Sequence, residues 1–272
     1  MPDDPLKVAK DSVSLVAEVI KAAGDNPQVR EAAGNLGHTA VTLTKTINNV
    51  LIPLAAINFA FDKARVYFSE RFQQEIAEKV EGIPPEHIVE PKASIAGPTL
   101  QGLAFTHEEP NLKEMYLNLL VTAMDGRSAT TAHPAFVEII KQLDSEDARL
   151  VSSALKSSSA IPIVQIHLKL KGGAEYRVLA QHLLNLTDTA TGLPVEDPQL
   201  PAMIDNWIRL GLVEVAYDKH LTDPASYVWA EQRPEFLRLS QTPQPDEAKV
   251  EYQKGFMQRT ELGKRFAKAI GL

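Results

Sequence analysis

The sequence predicts a mainly α chain in two parts, an all-helical domain over residues 1–144 followed by an α+β domain over residues 145–272. Three observations carry that reading. As far as residue 143 the apolar residues return every three or four positions, the spacing of one helix face. At 161–170 the spacing falls to two in a β-branched-rich run, IPIVQIHLKL, ahead of Gly172-Gly173. WIRLGLVEV at 207–215 then takes a helix into Gly211 and straight on into a strand, a reversal that glycine permits through its left-handed conformation.

Taken in order, residues 5–23 place Leu6, Val13, Val16, Val19 and Ile20 on one helix face, and Gly24-Asp25-Asn26-Pro27 ends it. Residues 27–47 continue as a weaker helix interrupted by Gly34 and Gly37. The most apolar run, VLIPLAAINFAF at 50–61, is 12 residues long, whereas a membrane-spanning helix needs about 20. It therefore reads as the buried start of a helix with Pro53 in its first turn, ahead of a membrane-surface segment. Phe61, Ala64, Phe68, Phe72, Ile76 and Val80 extend the stripe along one long helix that Gly82 terminates.

Three prolines in IPPEHIVEP at 83–91 forbid a regular helix and make a stiff, extended connection. A short helix follows at 94–105 with Pro98 in its first turn. The next runs from Pro110 to Asp125-Gly126 and buries Leu112, Met115, Tyr116, Leu119, Leu120 and Ala123; another at 133–143 turns Phe136, Ile139, Ile140 and Leu143 inward. Asp144-Ser145 signals the N-cap of a helix over 146–157. Beyond the strand at 161–170, helices are expected near 176–186 and 199–210, a strand at 212–218, a proline-rich loop or hairpin arm at 219–248, an extended segment at 249–259 and a closing helix at 259–271.

The order helix, helical pair, Leu-Gly turn, strand, hairpin arm and final helix makes the second domain winged-helix-like. Charge weighs against its reading DNA. Residues 145–272 hold 15 Lys and Arg against 16 Asp and Glu, the first 144 hold 13 against 19, and the whole chain is at −7. The candidate reading helix at 199–210 carries Asp205 and, as its sole cation, Arg209. A DNA-binding regulator remains the alternative, through the basic run Lys249, Lys254, Arg259, Lys264, Arg265 and Lys268. The favoured partner is a protein or a second copy of the chain.

Catalytic motifs do not emerge. Without cysteine there is no thiolate nucleophile, zinc thiolate site or disulfide framework. The seven histidines show no HExxH spacing, and the Walker A, GxGxxG and GxSxG patterns are absent. His107, Glu108, Glu109, Asp125 and His133 form the one acid–base cluster the sequence offers, which keeps a toxin enzyme with an unrecognised acidic site as a further alternative. No cofactor or metal is expected. The N-terminus has two early aspartates and no basic lead into an apolar core, so no secretory signal is expected and a cytoplasmic location is.

IPPEHIVEP at 83–91, SIAGPTLQGL at 94–103, the EPNLKEMYLNLLVTAMD helix and HPAFVEIIKQLDSEDARLV at 133–151 together resemble the abortive infection alpha family, also catalogued as a domain of unknown function. The resemblance extends over roughly residues 45–270. It implies a bacterial protein with a part in phage defence, and it transfers no catalytic residues. Beside it, the leading expectation is a non-enzymatic interaction or effector protein. The exposed proline segment is its candidate recognition surface, through Glu86, His87 and Glu90.

Overall fold

The computed structural model describes residues 58–170, 176–188, 190–244 and 248–272. The helices expected at 5–23 and 27–47, the apolar run up to Ile57 and the Gly172-Gly173 turn lie outside the described residues. The chain divides into two compact units, one made of Met1–Leu150 with Arg265–Leu272 and the other of Val151–Lys264.

In the first unit the described chain begins with α1 (Asn58–Glu70) and α2 (Phe72–Val80). The expected stripe is buried at Ala64, Phe68, Phe72 and Ile76, but the single long helix is broken at Arg71. The Tyr67 hydroxyl donates to Glu75 Oε2 across the break at 2.9 Å, and Lys113 Nζ donates to Glu75 Oε1 at 2.6 Å. Residues 83–91 follow, with a short 3₁₀ turn at Pro85–His87.

Helix α3 (Ala93–Thr106) starts early enough to put Pro98 in its second turn, not its first. The Ser94 carbonyl thereby loses its i+4 helical donor, at an exposed residue. Helices α4 (Pro110–Met124) and α5 (Pro134–Ile140) bury the residues their spacing picks out, and α4 also buries Leu117 and Met124. Gly102 lets α3 meet α4 closely; a Cβ there would lie 2.3 Å from the Tyr116 ring.

Helix α6 (Ser145–Lys156) is capped by Asp144, whose Oδ1 accepts from the Asp147 N–H at 2.7 Å. The C-terminal segment of this unit brings Phe266 edge-on to Phe136, ring centres 5.5 Å apart. Asn118 donates to the Ile270 carbonyl at 2.9 Å and Thr122 to that of Ala269 at 2.8 Å, serving acceptors that a helix end leaves orphaned.

The second unit is built on four antiparallel strands, β1 (Ile161–Lys169), β2 (Tyr176–Leu183), β3 (Val213–Ala216) and β4 (Lys249–Arg259), in the order β2-β1-β4-β3. The central pair keeps an unbroken register from Ile161 opposite Met257 to Lys169 opposite Lys249. Helix α7 (Leu200–Arg209) ends at Gly211, whose φ of 71° sends the chain into β3.

This topology overturns the winged-helix expectation. The segment read as a helix near 176–186 is β2, an edge strand on β1. Its apolar residues suit either period over so short a run, and pairing with β1 decides between them. Residues 219–244 are not a free arm either. They fold into two 3₁₀ turns (Pro224–Tyr227 and Ala230–Gln232) and α8 (Pro234–Gln241). Tyr227, Trp229, Phe236 and Leu239 from this stretch cover the sheet face that carries Val164, Ile166, Val250 and Tyr252. A last helix, α9 (Glu261–Ala269), follows β4.

Candidate functional site

Strand alternation gives the sheet one apolar and one polar face. Even-numbered β1 residues face the cover just described. Odd-numbered ones place Gln165, His167 and Lys169 on the other face, with Gln253, Glu251 and Lys249 of β4 directly opposite. From β2, Val178 stands opposite His167 and Tyr176 opposite Lys169. Two cross-strand rows result, Tyr176–Lys169–Lys249 at the rim and Val178–His167–Glu251 behind it.

A chain of polar contacts runs along this face. Gln165 Nε2 donates to Gln253 Oε1 at 3.0 Å, and Gln253 Nε2 donates to the Tyr217 carbonyl at 2.6 Å. Tyr217 reaches His182, and His182 reaches Asp205 of α7. A β-bulge between Ala180 and Leu183 positions His182 and gives it a φ of 58°, left-handed backbone that a non-glycine residue adopts only when held there.

The hold is visible. The His182 backbone N–H donates to the Tyr217 hydroxyl oxygen at 3.1 Å. The ring tautomer follows from its partners. The Asp205 carboxylate accepts only, so His182 Nε2 carries the hydrogen and donates at 3.1 Å, while Nδ1 accepts from the Tyr217 hydroxyl at 3.1 Å. Burial pushes the Tyr217 phenol up to about 12, so it stays protonated at neutral pH. Both ring nitrogens are engaged and the phenol is a donor. The constellation acts chemically as a brace that ties β2, α7 and the end of β3 together.

Burial also holds the pKa of His182 below the ordinary histidine value, against the opposing pull of Asp205, and does the same to His167 against Glu251. The unfolded chain therefore takes up these protons first as pH falls through about 6.5. The second unit is expected to be most stable above that pH and to lose stability between about pH 7 and pH 5. Urea titrations at the two pH values check this, with His182→Asn, which tolerates left-handed backbone, beside the native chain. A smaller pH difference in the variant is expected; an identical one would uncouple His182 from stability.

At the rim, the His167 and Tyr176 rings stack with centres 4.1 Å apart and planes 4° from parallel. His167 is 7% exposed and its Nε2 has no hydrogen-bond partner among the described residues. Tyr176 remains 54% exposed. Sequence reasoning missed this face because it placed Tyr176 and His182 on a helix. The available signal was the alternation of Tyr176, Val178 and Ala180 with Arg177, Leu179 and Gln181.

The residues that the sequence does nominate are placed as follows. Glu86 and Glu90 are exposed and His87 half-buried, on a segment pinned through its backbone. The Gly126 N–H donates to the His87 carbonyl at 2.7 Å and the Val89 N–H to that of Met124 at 2.8 Å. Ile83, Ile88 and Pro91 are buried beneath it.

The acid–base cluster is taken apart. Glu108 accepts from Lys63 at 2.7 Å, His107 stacks on Tyr67, and His133 Nδ1 accepts from the Ala135 N–H as the cap of α5. Asp125 is gripped by Arg127, which holds its carboxyl below the usual range. Among the described residues no three His, Asp or Glu side chains converge as a metal site.

The basic run is divided as well. Alternation puts Lys249 and Lys254 on opposite faces of β4, with the Lys254 ammonium 5.3 Å from the Tyr227 ring centre. Arg259 donates to the Leu155 carbonyl at 2.9 Å, Lys264 pairs with Glu261 at 2.7 Å, and Arg265 and Lys268 are exposed on α9. No helix among the described residues is long and apolar enough to cross a membrane.

A family model described as abortive infection alpha matches residues 64–270. Neither the curated proteins nor the solved structures provide a match.

Proposed function

This chain belongs to the abortive infection alpha family, and from that premise we propose that it serves phage defence by binding a protein partner, without itself transforming a substrate. One observation carries the reading: residues 83–91 form an exposed acidic turn that is already ordered before any partner arrives. Its carbonyl and N–H groups are tied to Gly126 and Met124, while the Glu86 and Glu90 side chains are exposed. Two prolines precede Glu86 and Pro91 follows Glu90, so little conformational entropy remains to be lost on docking. The charge of the turn calls for a basic partner surface.

The triple substitution Glu86→Ala, His87→Ala, Glu90→Ala tests this in a plaque assay read beside the melting temperature. Protection is expected to disappear while melting is unchanged. Glu86→Gln with Glu90→Gln, which removes charge and keeps side-chain volume, is expected to do the same. Full protection by both variants would refute the reading, and lost protection that tracks a lowered melting temperature would assign the segment an architectural role.

A further inference from the structure

The rim of the polar sheet face lies in the second unit, apart from the acidic turn, and calls for a different ligand. Tyr176, Lys169 and Lys249 sit side by side on three adjacent strands, a row about 10 Å long at the usual strand spacing. One face of the Tyr176 ring is closed by the parallel His167 imidazole, yet the side chain is more than half exposed, so its outer face is presented flat to solvent. The stack fixes the rotamer in advance.

That arrangement carries a cost. Among the described residues His167 Nε2 is buried without a hydrogen-bond partner, and an unsatisfied polar atom of this kind weakens a fold. An aliphatic residue would fill the position without that cost but could not stack on the Tyr176 ring as the imidazole does. Lys169 beside the ring and Lys249 one strand further along the same row offer well-exposed ammonium groups. Both lie near Glu251, at 3.9 and 3.3 Å, and each ammonium keeps further donors. Val178 adds an exposed apolar surface beside the ring.

A flat aromatic ring with cations beside it has the chemistry that recognises an unpaired base joined to phosphodiesters. We propose that this rim binds single-stranded nucleic acid, one base stacking on Tyr176 with neighbouring phosphates on Lys169 and Lys249. The chain's overall charge of −7 does not prevent this, because two local contacts suffice for a weak, salt-sensitive complex. A duplex, whose bases are stacked on one another, offers the ring no free face.

The test uses the full chain with labelled oligothymidylate, oligouridylate and duplex DNA, each of about 12 nucleotides or base pairs, in fluorescence anisotropy at low salt. Binding to one or both single strands in preference to the duplex is expected, and the two arms distinguish DNA from RNA as the source. Two phosphate contacts predict a log–log salt slope of about −1.4.

Tyr176→Ala is expected to weaken binding roughly 10-fold or more, Tyr176→Phe to preserve it, and Lys169→Ala with Lys249→Ala to flatten the salt slope. Melting curves accompany each variant, and the Phe substitution retains the stack on His167. Absence of binding at low salt, equal affinity for the duplex, or binding unaffected by Tyr176→Ala would each overturn the proposal. Loss of phage protection in Tyr176→Ala without any oligonucleotide binding would assign the rim to another class of partner and overturn it equally.

Discussion

Replacing Arg233 with alanine is expected to cost the second unit about 3–5 kcal/mol. Arg233 is 1% exposed, the most deeply buried charge among the described residues. Its guanidinium makes a two-pronged pair with Glu235, Nε to Oε2 at 3.1 Å and Nη2 to Oε1 at 2.7 Å, and its other donors reach the carbonyls of Leu186 at 2.8 Å and Val195 at 2.7 Å. Removing it leaves a buried carboxylate without its cation, takes the donor from the Val195 carbonyl and leaves the Leu186 carbonyl with the Val195 N–H alone, a larger penalty than the pair's own net worth.

Those two carbonyls mark the ends of the loop between β2 and α7, which the Val195 N–H also closes onto the Leu186 carbonyl at 3.1 Å. The loss should therefore be local as well as global. Limited proteolysis is expected to cut near Leu193 in the variant well before the native chain. Urea unfolding of the second unit provides the magnitude. Arg233→Met with Glu235→Leu should recover part of the loss, because the stranded carboxylate is gone while the Val195 carbonyl stays unserved. A cost below about 1 kcal/mol for Arg233→Ala would show that the clamp contributes no more than a surface pair.

Gly263→Ala is expected to destabilise by about 3 kcal/mol or more, the upper end of overpacking penalties. A Cβ at Gly263 would stand 1.9 Å from the Leu212 carbonyl oxygen and 2.9 Å from its carbon. Both are backbone atoms at the entrance to β3, so relief would require moving the strand. Thr260 caps α9 at this point, its Oγ1 accepting from the Gly263 N–H at 2.9 Å while its own N–H donates to Leu212 at 3.1 Å. Helix propensity alone predicts the opposite sign, since alanine exceeds glycine by about 1 kcal/mol in a helix. Thermal melting provides the sign: a lowered melting temperature is expected, and a raised one would remove the steric argument.

Some elements were legible because their causes are local. Pro110 and Asp144 announce helix starts, Gly211 a helix end, and the three- and four-residue spacing of Leu112, Met115, Tyr116, Leu119 and Leu120 the buried face of α4. The misreadings share a different property. Tyr176–Leu183 is compatible with two periods, and the break at Arg71 interrupts a stripe whose spacing is continuous. Pro224–Gln241 looks like a loop by composition, yet it supplies half of a core.

The polar face was less legible still. His182, Asp205 and Tyr217 form no motif, being 23 and 12 positions apart, and the His167–Tyr176 stack exists only once β1 and β2 pair. The acidic turn could be read in advance because its prolines stand within nine residues of one another.

From sequence alone came the helices at Pro110–Met124, Pro134–Ile140 and Ser145–Lys156, the strand at 161–169, the turn at Gly211, the absence of thiol chemistry and the family. These depend on interactions reaching about four residues along the chain, or on composition. Tertiary structure decided that Tyr176–Leu183 is a strand, that the sheet runs β2-β1-β4-β3, and that His167 closes one side of Tyr176. Strand pairing joins residues far apart in sequence, and its period of two makes each side chain's face depend on a register that no local signal specifies.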